Sequence, residues 1–205
     1  MRKVLFACTL FLTAFASIKE GPWFSGKIVY HNQFKTLAGK DFSAKLAPVL
    51  GAENLYYISD NNYKAYTEKK QLLELYTGEN NKFLFFMNGQ AGPVTDAATG
   101  TPGAVVTPLA ETTTVAGYAC QSLKVENDGV TTVYYYSPKV RVNPERYTQH
   151  LMGDWYTYLR ASNGALPLRF IVTNAKQGFV WTSDANSVQT MLLTAADFTA
   201  TASAQ

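Results

Sequence analysis

The sequence predicts a mainly β protein. Its expected form is one strongly curved antiparallel sheet, an open half-barrel of about 10–11 strands with helices packed on the concave side. Three observations carry this. Residues 24–34 alternate apolar and polar side chains over the length of a long strand. Between 53 and 87, short apolar runs recur every ten residues or so, separated by polar turns, the pattern of a meander. Asn127-Asp128-Gly129 joins two extended runs, and an Asp-Gly pair supplies the positive backbone angles of a tight hairpin. So many strands must curl to manage their edges, and curling creates a concave face that a helix can cover.

In Trp23–Phe34, Phe24, Ile28, Tyr30 and Phe34 share one face with Gly26 and Asn32, while Ser25, Lys27, His31 and Gln33 share the other. Phe42, Leu46, Val49 and Leu50 recur at helical spacing, with Asp41 near the start and Pro48 placed to kink or end the helix. Strands are then expected at Leu55–Ile58, Tyr63–Thr67, Leu72–Thr77 and Phe83–Met87. Residues 88–114 are rich in Gly, Pro, Thr and Ala and are expected as a long loop, of which the part from Val105 or Leu109 onward can pair with Tyr118–Val125. The Asp-Gly hairpin follows and is expected at the centre of the sheet. Asn143 can cap a helix and Pro144 can open it. Tyr147, Leu151, Trp155, Tyr158 and Leu159 then keep helical spacing, and Gly153 divides the segment in two. Asn163-Gly164 turns into a strand from Leu166 to Val172, followed by strands at Gly178–Thr182 and Val188–Leu193. The tail, 195–205, is small and polar and is expected to fray.

The first 16 residues read as an export signal. Met1-Arg2-Lys3 is basic, Val4–Phe15 is apolar, and Ala14-Phe15-Ala16 fits small-x-small cleavage between Ala16 and Ser17. The apolar stretch is too short for a bilayer, which takes about 20 residues. Residues 17–205 then form a single domain. Without Arg2 and Lys3 the chain holds 16 basic against 15 acidic residues, a balance that excludes a nucleic-acid surface. Cleavage also removes Cys8 and leaves Cys120, read as a small buried hydrophobe because no His or Lys adjoins it in sequence.

The chain has two histidines, His31 and His150, and lacks HExxH, CxxC, GxSxG and the phosphate-loop patterns. No metal, no cofactor and no catalytic residue is expected. Asp60, Glu68, Glu74, Glu126, Asp154 and Asp184 read as solvated charges, although a carboxylate pair assembled by folding would make a hydrolase. The aromatic content, 13 Tyr and 12 Phe, is the distinctive resource. Tyr30, Tyr57, Phe83, Phe85, Tyr134, Tyr136, Trp155, Phe170 and Trp181 are the candidate lining of an apolar cavity, with an ordinary packed core as the rival use. Arg160 and Arg169, with Arg141, are candidate latches at its mouth.

The run Val115–Val125, VAGYACQSLKV, followed by a turn and Val133-Tyr134-Tyr135-Tyr136-Ser137-Pro138, resembles the GYxC element of exported bacterial envelope proteins with a LolA-like curled sheet. The Phe24-to-Tyr30 strand, the hairpin from Tyr56 to Tyr66, and Gly164–Leu168 resemble that family in the same order, across about Trp23 to Leu193. The resemblance implies a LolA-like half-barrel in the Gram-negative periplasm, in the superfamily of the LolA and LolB lipoprotein carriers. It implies a monomeric, non-catalytic carrier for an apolar ligand such as a lipid or lipoprotein acyl chain. An envelope interaction module that binds a protein partner and has no cavity is the alternative. The residues 88–114 depart from the carrier pattern, and no stretch matches the carriers' gating arginine.

Overall fold

The computed structural model describes residues 23–200, so the expected signal and cleavage site lie outside the described residues, as do 201–205. The order of elements is β1 (Gly26–Thr36), α1 (Ser43–Leu50), β2 (Glu53–Ser59), β3 (Asn62–Thr67), β4 (Leu72–Thr77), β5 (Lys82–Met87), β6 (Gln90–Ala91), β7 (Thr95–Asp96), β8 (Val105–Val115), β9 (Tyr118–Asn127), β10 (Val130–Arg141), α2 (Trp155–Ala161), β11 (Ala165–Asn174) and β12 (Phe179–Thr190). All strand pairings are antiparallel, in one open 12-stranded sheet ordered β6-β5-β4-β3-β2-β1-β12-β11-β10-β9-β8, with β7 beside β5. The mainly β, open and curved architecture is the one the sequence predicts.

Strand β1 holds the middle of the sheet, pairing β2 on one side and β12 on the other. Its buried positions, Gly26, Ile28, Tyr30, Asn32 and Phe34, are the predicted inner face. The Asp-Gly hairpin forms as expected: Asn127 pairs with Val130, and Asp128 (φ 46°) and Gly129 (φ 78°) both take left-handed angles. Its place differs. It lies toward one edge, with only β8 outside it. Local turn chemistry makes a hairpin but says nothing of which strands flank it.

The 88–114 stretch is less of a loop than its composition suggests. It holds β6, β7 and most of β8, and β8 pairs β9 from Val105↔Glu126 to Val115↔Tyr118. Its edge position explains the disguise, because an edge strand tolerates Pro108 and a run of threonines.

Helix α1 starts where the Asp41 carboxylate accepts from Ser43 N–H at 2.8 Å, and ends at Leu50, two residues past Pro48. On the concave side, Asn143 caps a 3-10 turn at Pro144–Tyr147, accepting from Glu145 N–H at 3.1 Å. Gly153 (φ 61°) and Asp154 (φ 57°) then break the helical path before α2. The division expected at Gly153 is present, and the segment holds short helical pieces at Pro144–Tyr147, Met152–Asp154 and Trp155–Ala161.

Apolar residues divide between two cores. The inner one packs Ile28, Tyr30, Tyr63, Tyr76, Leu123 and Tyr134 against Tyr147, Tyr158 and Leu159 from the helical segment. Cys120 is buried there, and burial pushes its thiol up. The second core lies on the convex side, where Tyr57, Tyr66, Leu75 and Phe86 meet Leu193 and Phe198. Phe198 corrects the expectation of a fraying tail. A capping box between Thr194 and Asp197 turns the chain at Ala195–Asp197 and buries the ring.

Candidate ligand cavity

The curvature of the sheet and the spacing of the helical segment leave a cavity of about 730 Å³ between them. That is within the range of small-molecule sites, roughly 300–1,000 Å³. Its floor is built by inward residues of nine strands, β1–β5 and β9–β12, including Tyr30, Tyr56, Tyr63, Phe83, Phe170 and Trp181. Its roof is Met152, Gly153, Asp154 and Trp155. At the mouth, the Asn127 amide donates to Thr101 O at 2.7 Å and to Asp154 Oδ1 at 2.8 Å, tying the β9–β10 turn to the roof.

The aromatic walls pack ring against ring, edge to face at Phe170–Trp181 and tilted at the other two contacts. Phe170 meets Trp181 at 4.9 Å and 89°, Tyr30 meets Phe170 at 5.9 Å, and Tyr56 meets Tyr63 at 5.5 Å. One polar knot is internally satisfied. Asn32 Oδ1 accepts from Trp181 Nε1 at 3.1 Å and from Ser183 Oγ at 2.9 Å, while its amide donates to Asn54 at 2.8 Å. On the roof side, His150 Nε2 shares a 2.8 Å hydrogen bond with the Tyr63 hydroxyl. Burial lowers the His150 pKa to about 4, which keeps the ring neutral at physiological pH. His150 Nδ1, Trp155 Nε1 and the Tyr147 hydroxyl are buried without a hydrogen-bond partner. The first two belong to residues that line the cavity.

Glu74 is the residue that sequence reasoning placed wrongly. It is not a solvated surface charge. The β3–β4 register shifts between Ala65↔Glu74 and Tyr66↔Leu72, leaving Leu73 unpaired. This bulge turns both Leu73 and Glu74 to the cavity, while Leu72 and Leu75 serve the convex core. Glu74 is half-buried and lines the cavity, and desolvation among its apolar neighbours pushes its pKa up to about 7. The hydroxyls of Tyr30, Tyr56 and Tyr63 lie near enough to feel its charge. A lone acid inside Leu72-Leu73-Glu74-Leu75-Tyr76 was the available signal.

Of the sequence candidates, Tyr30, Phe83, Phe85, Tyr134, Trp155, Phe170 and Trp181 line the cavity. Tyr57 does not. It is on the convex side, edge-on to Tyr66, and its neighbour Tyr56 takes the inner place. Both faces of β2 are apolar, so alternation gives no parity to choose by. Tyr136 lies beneath α2, edge-on to Tyr158 at 6.3 Å, outside the lining. None of the three arginines lines the cavity. Arg169 pairs with Asp184 and stands over the Tyr135 ring, Arg160 stands over Tyr156, and Arg141 stands over Trp23.

No protein-family model matches the chain. No curated protein matches it either. It is similar to solved structures at low identity. One is the P21 crystal form of PNGF-II, at TM-score 0.49 and 14% identity, covering 85% of this chain and 30% of that one. Another is a LolA superfamily protein from Nitrosomonas europaea, at TM-score 0.39 and 13% identity, covering 87% of this chain and 91% of that one. The MucA/MucB complex of Pseudomonas aeruginosa is similar at TM-score 0.34 and 10% identity, covering 83% of this chain and 54% of that one. The chain thus spans 30% of the length of the PNGF-II chain. These likenesses concern the fold alone.

Proposed function

We propose that this protein is a non-catalytic binding or carrier protein of the cell envelope, which holds an apolar ligand between its curved sheet and its helical roof. The carrying observation is the cavity of about 730 Å³, walled by aromatic rings that its own side chains leave unfilled. Burial of apolar area, about 25 cal/mol per Å² before ordering costs, supplies the affinity. The other two acids of the lining are engaged at the mouth: Asp128 with Lys176 at 2.5 Å, and Asp154 with Asn127. That leaves Glu74 without a second unpaired acid for hydrolysis, and supports binding over catalysis. No helix among the described residues is long and apolar enough to cross a membrane. An exported, periplasmic protein that meets a lipid or an envelope partner is the setting that the signal-like N-terminal sequence and the cavity favour.

The test is saturable binding of a neutral fluorescent apolar probe, N-phenylnaphthylamine, by purified protein. Ala65 and Thr132, two small residues of the lining, are the place to fill the cavity. Ala65→Phe together with Thr132→Phe should reduce probe affinity at least tenfold while the far-ultraviolet circular dichroism stays unchanged. Probe binding that survives the filled cavity refutes the assignment.

A further inference from the structure

The charge of the lining is one-sided. Glu74, Asp128 and Asp154 line the cavity, and no lysine or arginine does. Lys176, outside the lining, is taken up by Asp128 at the mouth, so an acyl carboxylate or a phosphate headgroup would find no cation beside Glu74 to pair with. Glu74 has no hydrogen bond or ion pair to its carboxylate among the described residues. Such a group is costly to keep without a partner. It stands across the strand pair from Phe85 and next to the rings of Tyr30, Tyr56 and Tyr63. Aromatic faces carry negative potential and attract cations, most strongly where water is excluded. No three His, Cys, Asp or Glu side chains cluster among the described residues, so the arrangement suits an organic cation better than a metal ion.

Building on the reading of the cavity as a ligand site, we propose that its occupant is a cationic amphiphile, an apolar amine or quaternary ammonium, whose charged end sits between the Glu74 carboxylate and the surrounding tyrosine and phenylalanine rings. The apolar body then runs along Phe170, Trp181 and Tyr134 beneath the roof. Neutral polar groups on the roof, Trp155 N–H and His150, meet any hydroxyl or ester oxygen that the ligand carries.

Displacement of N-phenylnaphthylamine by decyltrimethylammonium, decanol and decanoate, the two ions below their micelle concentrations and decanol below its solubility limit, at pH 8 and low salt, tests this. The ammonium should compete about tenfold better than decanol and better still than decanoate. Glu74→Gln should erase that advantage and leave decanol unchanged. The same loss is expected in unaltered protein at pH 5, where Glu74 is protonated and His150 is still neutral. The other titratable groups facing Glu74 are the Tyr30, Tyr56 and Tyr63 hydroxyls, all raised by burial and uncharged at both pH values. Decanoate matching the ammonium, or an ammonium advantage that persists in Glu74→Gln and at pH 5, overturns the cationic ligand while sparing the cavity. Failure of all three competitors and of the probe removes both.

Discussion

Glu74 and His150 are two ionisable groups whose charged forms burial disfavours, and they act on stability with opposite signs. Glu74 has its folded pKa raised to about 7, so the folded state holds a proton that the unfolded chain releases above its usual 4.5. Stability from this group falls as pH rises between those values, by on the order of 2–3 kcal/mol. His150 has its folded pKa lowered to about 4, so the unfolded chain binds the extra proton below 6.5. Stability from His150 therefore falls as pH drops from about 6.5 toward 4. Between these limits the two slopes oppose, and a flat profile results. Glu74→Gln should raise stability above pH 7 and uncover a profile that climbs from pH 4 to 6.5. Urea unfolding at pH 5, 6, 7 and 8 measures this, and a Gln variant less stable than the parent at pH 8 contradicts it. His150→Gln should do the reverse, leaving stability that declines steadily from pH 4.5 to 7. Neither residue was legible as a cavity group, because a single Glu in a strand reads as wet until a bulge redirects it.

At the scale of elements, the turns were the most readable features and are the most intolerant of change. Gly164 has φ +78° and a Cβ there would sit 2.0 Å from Val142 O. It also donates to Leu159 O at 2.7 Å and accepts from Val142 N–H at 2.9 Å, locking α2 to β11. Gly164→Ala should cost about 2 kcal/mol or more, and because the roof hangs from this turn, it should weaken probe binding as well. The C-terminal turn was not readable. Thr194 and Asp197 form its capping box, yet small polar composition hid the one ring, Phe198, that gives the segment a place to dock. Phe198→Ala should destabilise by about 3 kcal/mol with no change in probe affinity, since the convex core shares no residue with the cavity. Thermal unfolding with parallel titrations separates the two effects. Tyr57 marks the limit of period-two reasoning, since a strand apolar on both sides offers no contrast from which to tell floor from back.

For the molecule as a whole, the curled sheet followed from local patterns: alternation in β1, the ten-residue cadence of β2–β5 and the Asp128-Gly129 turn. The order of strands did not. The meander β1–β5 and the hairpins β8–β12 are each built from sequence neighbours, but they are fused by β1 against β12, where Tyr30 pairs with Ala185. No short-range signal announces a pairing between segments so distant in sequence. The cavity depends on it, because Tyr30 and Asn32 from one half face Trp181 and Ser183 from the other. Unfolding should therefore be a single cooperative event, in which intrinsic tryptophan fluorescence and far-ultraviolet circular dichroism change together with denaturant. Separate midpoints would mean that the two halves hold together on their own.

The same seam governs assembly in time. While the chain is being synthesised, β1 waits with an open side for β12 to arrive, and such distant closures are slow. A polypeptide laid out in this way stays pliable until nearly all of it has emerged.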